Sequence, residues 1–233
     1  TLNYAAIKQL KNVRQLKLFN FTRIQIDERF FENFLNLQHL DLSCLNPDEY
    51  SRCSTDINEE CCCIDMKAFA SLKESLKSLN LSNNNLQLDS DCEIFSLEHL
   101  ETLDLSLYDK NRFMNRELTL NETTFARMTN LRVLNLSGNQ IKLEGDCFQA
   151  LTNLNELDLS STMLDSDNKD HDIFSSLKQL ENFKFDGIER CASFQLYRLS
   201  ELISLREMKL KITQLDLSHF REMLRSQMRR QGE

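Results

Sequence analysis

The feature that most constrains the fold is an apolar phrase that recurs about every two dozen residues along the chain. The clearest copy, residues 131–154, reads LRVLNLSGNQIKLEGDCFQALTNL. Eight copies start at Val13, Leu37, Leu76, Leu100, Leu131, Leu154, Leu180 and Leu205. A fixed period of this length is typical of solenoids, in which each copy packs against its neighbours. Residues 1–233 are therefore predicted to form a single repeat domain.

Each copy contains two kinds of apolar spacing. Its fourth and sixth residues are apolar, as in Leu134 and Leu136, and this alternation predicts a short strand with one buried face. A later phenylalanine begins a spacing of three, as in Phe148, Leu151 and Leu154, which suits a helical or 3₁₀ turn. The phenylalanine column comprises Phe31, Phe69, Phe95, Phe125, Phe148 and Phe174. The expected class is α/β, with parallel strands sharing one continuous core.

These residues resemble the leucine-rich repeat family over essentially the whole chain. The segments CFQALTNLNELDLSST and FARMTNLRVLNLSGN are similar to repeats of Toll-like receptor ectodomains. The resemblance implies a curved solenoid with a parallel sheet on the concave face and short helical or 3₁₀ segments on the convex face. It also implies a non-enzymatic part in innate immune recognition at the cell surface or outside the cell, with a receptor dimer as one possible assembly.

The ninth position of each copy departs from the family pattern. The family usually has Asn there, whose side chain can satisfy backbone groups where the chain leaves the strand. Only Asn84 and Asn139 keep it, while Leu45 and Tyr108 are among the replacements. Thr162 can hydrogen-bond in the same role, but hydrocarbon side chains cannot.

The charge balance bears on the class of partner. The formal net charge is -8, with 28 Lys and Arg against 36 Asp and Glu. An acidic chain disfavours nucleic acid and anionic membranes, which both reward a basic surface. A protein or microbial ligand is expected instead. The sequence has no membrane-spanning run, and it opens inside a repeat, so we expect a segment of a longer receptor. A cytoplasmic scaffold that assembles other proteins is the alternative.

The outward strand positions form a grid of polar side chains that a rigid solenoid would present to a ligand. The predicted ligand-binding residues of this grid are Asp41, Glu101, Asp104, Arg132, Glu156, Asp158, Glu181 and Lys184. Simple solvation of strand residues is the competing interpretation.

Two insertions, residues 46–63 and 108–118, interrupt the period after strand exits and should emerge on one lateral edge. Long loops on a rigid scaffold are often functional. Exposed aromatic residues and Arg are enriched at interface centres, so Tyr108, Arg112 and Phe113 are candidate anchors.

Five of the eight cysteines crowd into or beside the first insertion: Cys44, Cys53, Cys61, Cys62 and Cys63. A loop that cannot build its own core is commonly held by disulfides. We expect Cys53 to pair with one of the triplet and Cys44 with another, although sequence does not fix the connectivity. A zinc site is the alternative, but the usual C-x-x-C spacing is absent. Cys92 and Cys147 are expected to be half-buried thiols.

Four glycosylation sequons begin at Asn20, Asn80, Asn121 and Asn135. Asn80 and Asn135 fall on outward strand positions, where a glycan would cover the concave face. Asn121 and Asn20 are therefore the predicted acceptors.

Catalytic and cofactor chemistry finds little support in the sequence. The phrase DLS recurs four times, and with His39 it superficially suggests a hydrolase. Catalysis needs one site, whereas repetition across copies is what structure demands. Four glycines leave no phosphate loop. The acidic stretch 162–172 matches no standard calcium loop. We expect no enzyme activity, no cofactor and no metal.

Overall fold

The fold is a solenoid of parallel strands, seen in a computed structural model that describes residues 9–18, 24–45, 63–84, 86, 88, 92–108, 117–166, 173–186, 199 and 202–211. The strands among these residues are β1 (Gln15–Lys17), β2 (Gln25–Ile26), β3 (His39–Asp41), β4 (Cys63–Ile64), β5 (Ser78–Asn80), β6 (Thr102–Asp104), β7 (Glu117–Leu120), β8 (Val133–Asn135), β9 (Gln140–Leu143), β10 (Glu156–Asp158), β11 (Met163–Ser166), β12 (Asn182–Asp186) and β13 (Glu207–Lys211).

One strand from each predicted copy joins the main sheet, whose order is β1-β3-β5-β6-β8-β10-β12-β13. Neighbouring strands are parallel, and the fourth residue of one copy pairs with the fourth residue of the next. Leu103, for example, is opposite Leu134, which is opposite Leu157. The predicted repeat register is therefore the structural register, and the leucine-rich repeat solenoid is confirmed.

A second set of short strands, which the repeat pattern did not predict, lies where the chain leaves the main sheet. β7, β9 and β11 form a three-stranded parallel sheet, and β2 pairs with β4. The alternation in β9 buries Ile141 and Leu143. Residues 117 and 118, the last two of the predicted insertion 108–118, already belong to β7. Cys63, the last of insertion 46–63, opens β4.

The core is the predicted spine of leucine and phenylalanine. The fourth and sixth residues of the central copies, from Leu40 to Leu159, are buried. The six residues of the phenylalanine column are buried as well. Phe125 stacks on Phe148 with ring centroids 6.0 Å apart, and Phe148 stacks on Phe174 at 6.2 Å. Each such side chain contributes about 1.5–3 kcal/mol through its burial, but only because the adjacent copies cover it.

The segments with an apolar spacing of three lead from one strand back to the next and are here called the return segments. They form short 3₁₀ helices or turns, as that spacing predicts. One 3₁₀ helix spans Met66–Leu72, and the side chain of Asp65 caps it by accepting a hydrogen bond from the backbone N–H of Lys67 at 2.9 Å. A second spans Glu93–Ser96. Their apolar residues face the sheet, so the outward face of the main sheet is left free as a polar surface.

Candidate ligand-recognition surface

The outward face of the main sheet, here called the concave face, owes its recurring DLS and NLS phrases to a backbone requirement. The fifth residue of a copy accepts a hydrogen bond from the N–H of the seventh through its Oδ1 atom. The bonds are Asp41 to Ser43 at 3.0 Å, Asn80 to Ser82 at 2.9 Å, Asp104 to Ser106 at 2.9 Å, Asn135 to Ser137 at 3.1 Å and Asp158 to Ser160 at 2.9 Å. Such bonds end the strand and begin the turn. The phrase therefore recurs for a structural reason.

Most of the predicted ligand-binding charges are already compensated by a neighbouring strand. The ion pairs are Lys17–Asp41 at 2.6 Å, Lys77–Glu101 at 3.1 Å, Lys184–Asp158 at 3.3 Å and Arg206–Glu181 at 3.4 Å. Exposed pairs of this kind contribute roughly 0.2–1 kcal/mol. A ligand can compete for them, but it must replace the existing partner before it gains anything.

Asp41 is the most strongly held of these carboxylates. Its partial burial acts to raise the pKa, but hydrogen bonds from Lys17 and Ser43, together with the charge of Lys17, outweigh burial and lower the pKa below its ordinary value. Asp41 therefore remains ionised and tied to β1, which makes it a poor first contact for a ligand.

Three predicted residues at the centre of the concave face have no ion-pair partner among the described residues: Asp104, Arg132 and Glu156. Arg132 and Glu156 are exposed. The Oδ2 atom of Asp104 accepts only a neutral hydrogen bond, from Nδ2 of Asn135 at 3.2 Å. These three side chains lie on the adjacent copies that begin at Leu100, Leu131 and Leu154. Of the predicted ligand-binding residues, the ones without an ion pair are thus grouped on three adjacent copies at the middle of the main sheet.

A groove of about 240 Å³ opens beside Arg132 where the return segments enter the main sheet. Its lining is Glu74, Ser75, Lys77, His99, Glu101, Asn130 and Arg132. The Nε2 atom of His99 lies 3.9 Å from a carboxylate oxygen of Glu74. The groove is charged and open, which suits the side chains of a polar ligand better than an apolar molecule.

A ladder of hydrogen bonds that sequence reasoning missed runs along the edge where the chain enters the main sheet, here called the entry edge. The residue just before the start of a copy donates its side chain to a backbone carbonyl one copy earlier. The bonds are Asn36 to Lys11 at 3.2 Å, Asn130 to Glu98 at 2.8 Å, Asn153 to Thr129 at 2.9 Å and Ser204 to Lys178 at 2.6 Å. The sequence signal that could have revealed this ladder is the recurrence of Asn or Ser just before the start of a copy.

The edge where the chain leaves the main sheet, here called the exit edge, has its own ladder of hydrogen bonds. The two ninth-position asparagines, Asn84 and Asn139, donate these bonds. Nδ2 of the buried Asn139 donates to the carbonyls of Leu105 and Leu136, both at 2.9 Å. Asn84 donates in the same way, to Leu42 at 2.7 Å and Leu81 at 3.0 Å. Thr162 keeps part of the role, since its hydroxyl donates to Leu159 at 2.6 Å.

In the two copies that have Leu45 and Tyr108 at the ninth position, an asparagine of an adjacent copy accepts a hydrogen bond from the backbone at that position. The N–H of Leu45 donates to Oδ1 of Asn84 at 2.9 Å, and the N–H of Tyr108 donates to Oδ1 of Asn83 at 2.8 Å. The side chain of Leu45 does not form this hydrogen bond, and Asn84 of the next copy forms one at the same turn instead. The Tyr108 side chain is 89% exposed beside the second insertion. Arg112 and Phe113 lie outside the described residues.

Three cysteines are fully described, and each is in a different environment: Cys44, Cys92 and Cys147. Cys44 is exposed, has a positive φ of 52° and forms no disulfide among the described residues. Cys53, Cys61 and Cys62 lie outside those residues, and only the backbone of Cys63 is described, so the disulfide pairing stays a prediction. Cys92 is half-buried as expected. Cys147 is fully buried and not half-buried, since it is only 1% exposed. Its burial and, to a smaller extent, the nearby charge of Asp146 raise the pKa of its thiol to about 12.

The described part of the chain contains neither a metal-binding cluster nor a membrane-spanning helix. No group of three or more His, Cys, Asp or Glu side chains there could hold a metal ion. None of its helices combines the length and apolar character that crossing a membrane requires.

Models of the leucine rich repeat family match residues 114–164 and 75–97. No curated protein matches the sequence. Several solved structures share the fold. The mouse RP105/MD-1 complex aligns with a TM-score of 0.60 and 20% identity, over 88% of this chain and 31% of that one. The TLR13–ssRNA13 complex aligns with a TM-score of 0.58 and 25% identity, over 88% and 30%.

Bacterial repeat proteins are similar as well. A leucine-rich repeat protein of Leptospira interrogans aligns with a TM-score of 0.61 and 24% identity, over 97% of this chain and 49% of that one. Internalin C2 of Listeria monocytogenes aligns with a TM-score of 0.54 and 21% identity, over 91% and 78%. This chain spans about a third of the RP105 and TLR13 chains.

Proposed function

We propose, on the premise that this chain is a leucine-rich repeat solenoid resembling Toll-like receptor ectodomains, that it is a non-enzymatic recognition segment of a longer extracellular or cell-surface receptor. The fold itself supports a binding role, because a solenoid presents many side chains on a rigid frame. The share of the RP105 and TLR13 chains that it spans supports its being one part of such a receptor.

The observation that carries the proposal is the trio of uncompensated charges at the centre of the concave face. Asp104, Arg132 and Glu156 have no ionic partner to give up among the described residues, unlike the ion-paired Asp41, Glu101, Asp158, Glu181 and Lys184. A ligand that pairs with the trio avoids the roughly 0.2–1 kcal/mol cost of breaking each existing pair. We therefore place first contact at the trio, with the paired residues as a rim.

The charges of the trio favour a protein ligand over nucleic acid. Two of the three are acidic, and a phosphate backbone would be repelled by both. A protein surface can place a carboxylate opposite Arg132 and basic groups opposite Asp104 and Glu156, as complementary interfaces do. The exposed Tyr108 side chain, on the exit edge of the same copy as Asp104, extends this surface.

A pair of matched arginine variants tests the proposal. The full chain is screened against a displayed library of extracellular proteins, and the affinity of the selected ligand is measured by surface plasmon resonance. Arg132→Ser should weaken binding at least about tenfold, the equivalent of roughly 1.4 kcal/mol. Arg127→Ser makes the same change of charge in the return segment, at a side chain that is 68% exposed, and should leave affinity within about twofold. Equal affinities for both variants and the wild type would remove the concave face from the proposal.

The number of free thiols tests the proposed extracellular placement against a reducing, intracellular one. Eight thiols titrating under denaturing, non-reducing conditions would favour a reducing compartment. Fewer than eight, restored by reductant, would favour an extracellular chain with disulfides in the first insertion.

A further inference from the structure

Three of the four sequons lie within the described residues, and their asparagines occupy different surroundings. Asn121 lies in the turn that follows β7, whereas Asn80 and Asn135 end strands β5 and β8 of the main sheet. Asn20 lies outside the described residues. A glycan attached to Nδ2 of an asparagine needs that atom to be open to solvent in the folded chain, and it needs room beyond it.

The side chain of Asn121 is held in one orientation by Thr123 of its own sequon and by Thr124, the residue that follows it. Its Oδ1 atom accepts hydrogen bonds from the N–H of Thr123 at 2.9 Å and from the hydroxyl of Thr123 at 2.7 Å. The hydroxyl of Thr124 contributes a third bond at 3.3 Å. Because the carboxamide is planar, directing Oδ1 toward these two threonines directs Nδ2 away from them.

The Nδ2 atom of Asn121 keeps contact with solvent, although the residue as a whole is half-buried. It has no hydrogen-bond acceptor among the described residues. Within the same residues, Nδ2 of Asn83 is the one buried side-chain nitrogen or oxygen that lacks a partner. An unpartnered Nδ2 on Asn121 therefore contacts water. Glu122 and Thr123 beside it are exposed, so the surrounding surface also has room for a bulky group.

The two sequons of the main sheet are less suited to a glycan. Nδ2 of Asn135 is engaged with Asp104 at 3.2 Å, and its Oδ1 is engaged with the N–H of Ser137 at 3.1 Å. Asn80 is half-buried to the same degree as Asn121, but it lies between β3 and β6, and its sequon serine, Ser82, is buried whereas Thr123 is exposed. Neighbouring strands lie only about 4.8 Å apart, so an oligosaccharide there would cover side chains of both neighbours.

We propose that Asn121 carries an N-linked oligosaccharide in preference to Asn80 and Asn135. This rests on the extracellular route proposed above. The donor class is a lipid-diphosphate-linked oligosaccharide. The Nδ2 atom attacks the anomeric carbon, so the N–C bond forms as the bond from that carbon to the diphosphate oxygen breaks. The amide nitrogen loses one proton, the lipid diphosphate leaves, and nothing is oxidised or reduced.

A glycan on Asn121 also limits where a partner can dock. Asn121 directly follows the last residue of β7, at the opposite end of that strand from the second insertion. An oligosaccharide there covers the surface at the end of β7, which belongs to the three-stranded sheet, whereas the central trio lies on the main sheet.

The test uses the full chain directed into the secretory pathway of mammalian cells by an unrelated signal sequence, with protein recovered from both cell membranes and medium. Trypsin places the sequons of Asn80, Asn121 and Asn135 in three separate peptides, residues 78–110, 117–127 and 133–142. Enzymatic removal of the glycan converts an occupied asparagine to aspartate, which mass spectrometry detects. Peptide 117–127 should be converted in most molecules, and the other two should be converted far less.

Two variants of the exposed Thr123 provide the control without touching the acceptor. Thr123→Ala removes the sequon and should abolish conversion at Asn121, whereas Thr123→Ser keeps it and should preserve conversion. An unconverted Asn121 in the wild-type chain, or conversion at Asn80 or Asn135 equal to that at Asn121, overturns the proposal. Because the signal sequence is supplied, this result is independent of the native compartment, which the thiol titration tests separately.

Discussion

The backbone carbonyl of Leu107 occupies the place where a β-carbon on Gly138 would lie. The two residues hold the same, eighth position of adjacent copies, and the N–H of Leu107 donates to the carbonyl of Ser137 at 2.8 Å. Gly138 has a φ of 77°, in the left-handed region that favours glycine. The close approach of two successive turns thus requires the absence of a side chain.

Gly138→Ala should lower the free energy of unfolding by about 3 kcal/mol, because both the backbone conformation and the carbonyl of Leu107 oppose the added methyl group. Gly145→Ala is the matched control. Its φ is 58°, but its nearest neighbour is the movable side chain of Glu122, so a cost of about 1 kcal/mol is expected. Urea unfolding followed by circular dichroism measures both, and equal losses would contradict the contact with Leu107.

The exit-edge ladder predicts a graded response at Asn139. Asn139→Ala leaves the carbonyls of Leu105 and Leu136 without their donor and should cost about 2–3 kcal/mol of stability. Asn139→Thr should cost about half as much, because a threonine hydroxyl can still reach the carbonyl three residues earlier, as that of Thr162 reaches Leu159. Thermal or urea unfolding of the two variants would show the order, and no difference between them would argue against the ladder.

The thiol of Cys147 should react more slowly than an exposed thiol by orders of magnitude. With a pKa of about 12, the Cys147 thiol is ionised in only about one molecule in 10⁴ at pH 8, and it is also shielded from reagents. Alkylation of the native chain, mapped by peptide mass spectrometry, should leave Cys147 unmodified until denaturant is added. Rapid native labelling of Cys147 would show that the packing around it opens.

The same experiment tests the predicted disulfide at Cys44, whose side chain is exposed. Immediate alkylation of Cys44 without reductant would rule out its pairing with the cysteine triplet. Labelling only after reduction would support that pairing.

Asp41 should contribute stability that depends on pH. Its pKa is lowered in the folded chain, so the fold favours the carboxylate. The contribution is complete above the unfolded pKa of about 4 and is lost as the pH falls through the lowered folded pKa. Asp41→Asn should flatten the acid limb of the stability curve, and Lys17→Met should flatten it in part. The urea midpoint measured between pH 2 and pH 6 checks this, and identical acid limbs would count against the Lys17–Asp41 pair.

The repeat pattern was sufficient to predict the eight parallel strands and their register. Leucines at the fourth and sixth positions can be buried only if the copies stack, and Phe125, Phe148 and Phe174 continue that core into the return segments. Period-two and period-three spacings are local properties of a chain, so they are visible in the sequence. The second sheet of β7, β9 and β11 was not predicted, because its short alternations, such as that of residues 140–143, lie outside the leucine phrase.

The sequence by itself determined the solenoid, its apolar spine and the set of outward polar positions. Only the tertiary structure decided which of those positions are free, since Asp41 and Asp158 bind lysines on neighbouring strands while Arg132 and Glu156 have no such partner among the described residues. It also showed that the N–H of Leu45 is satisfied by Asn84, 39 residues away. Pairing of charges and of buried polar groups depends on distances between copies, and a pattern within one copy does not contain those distances.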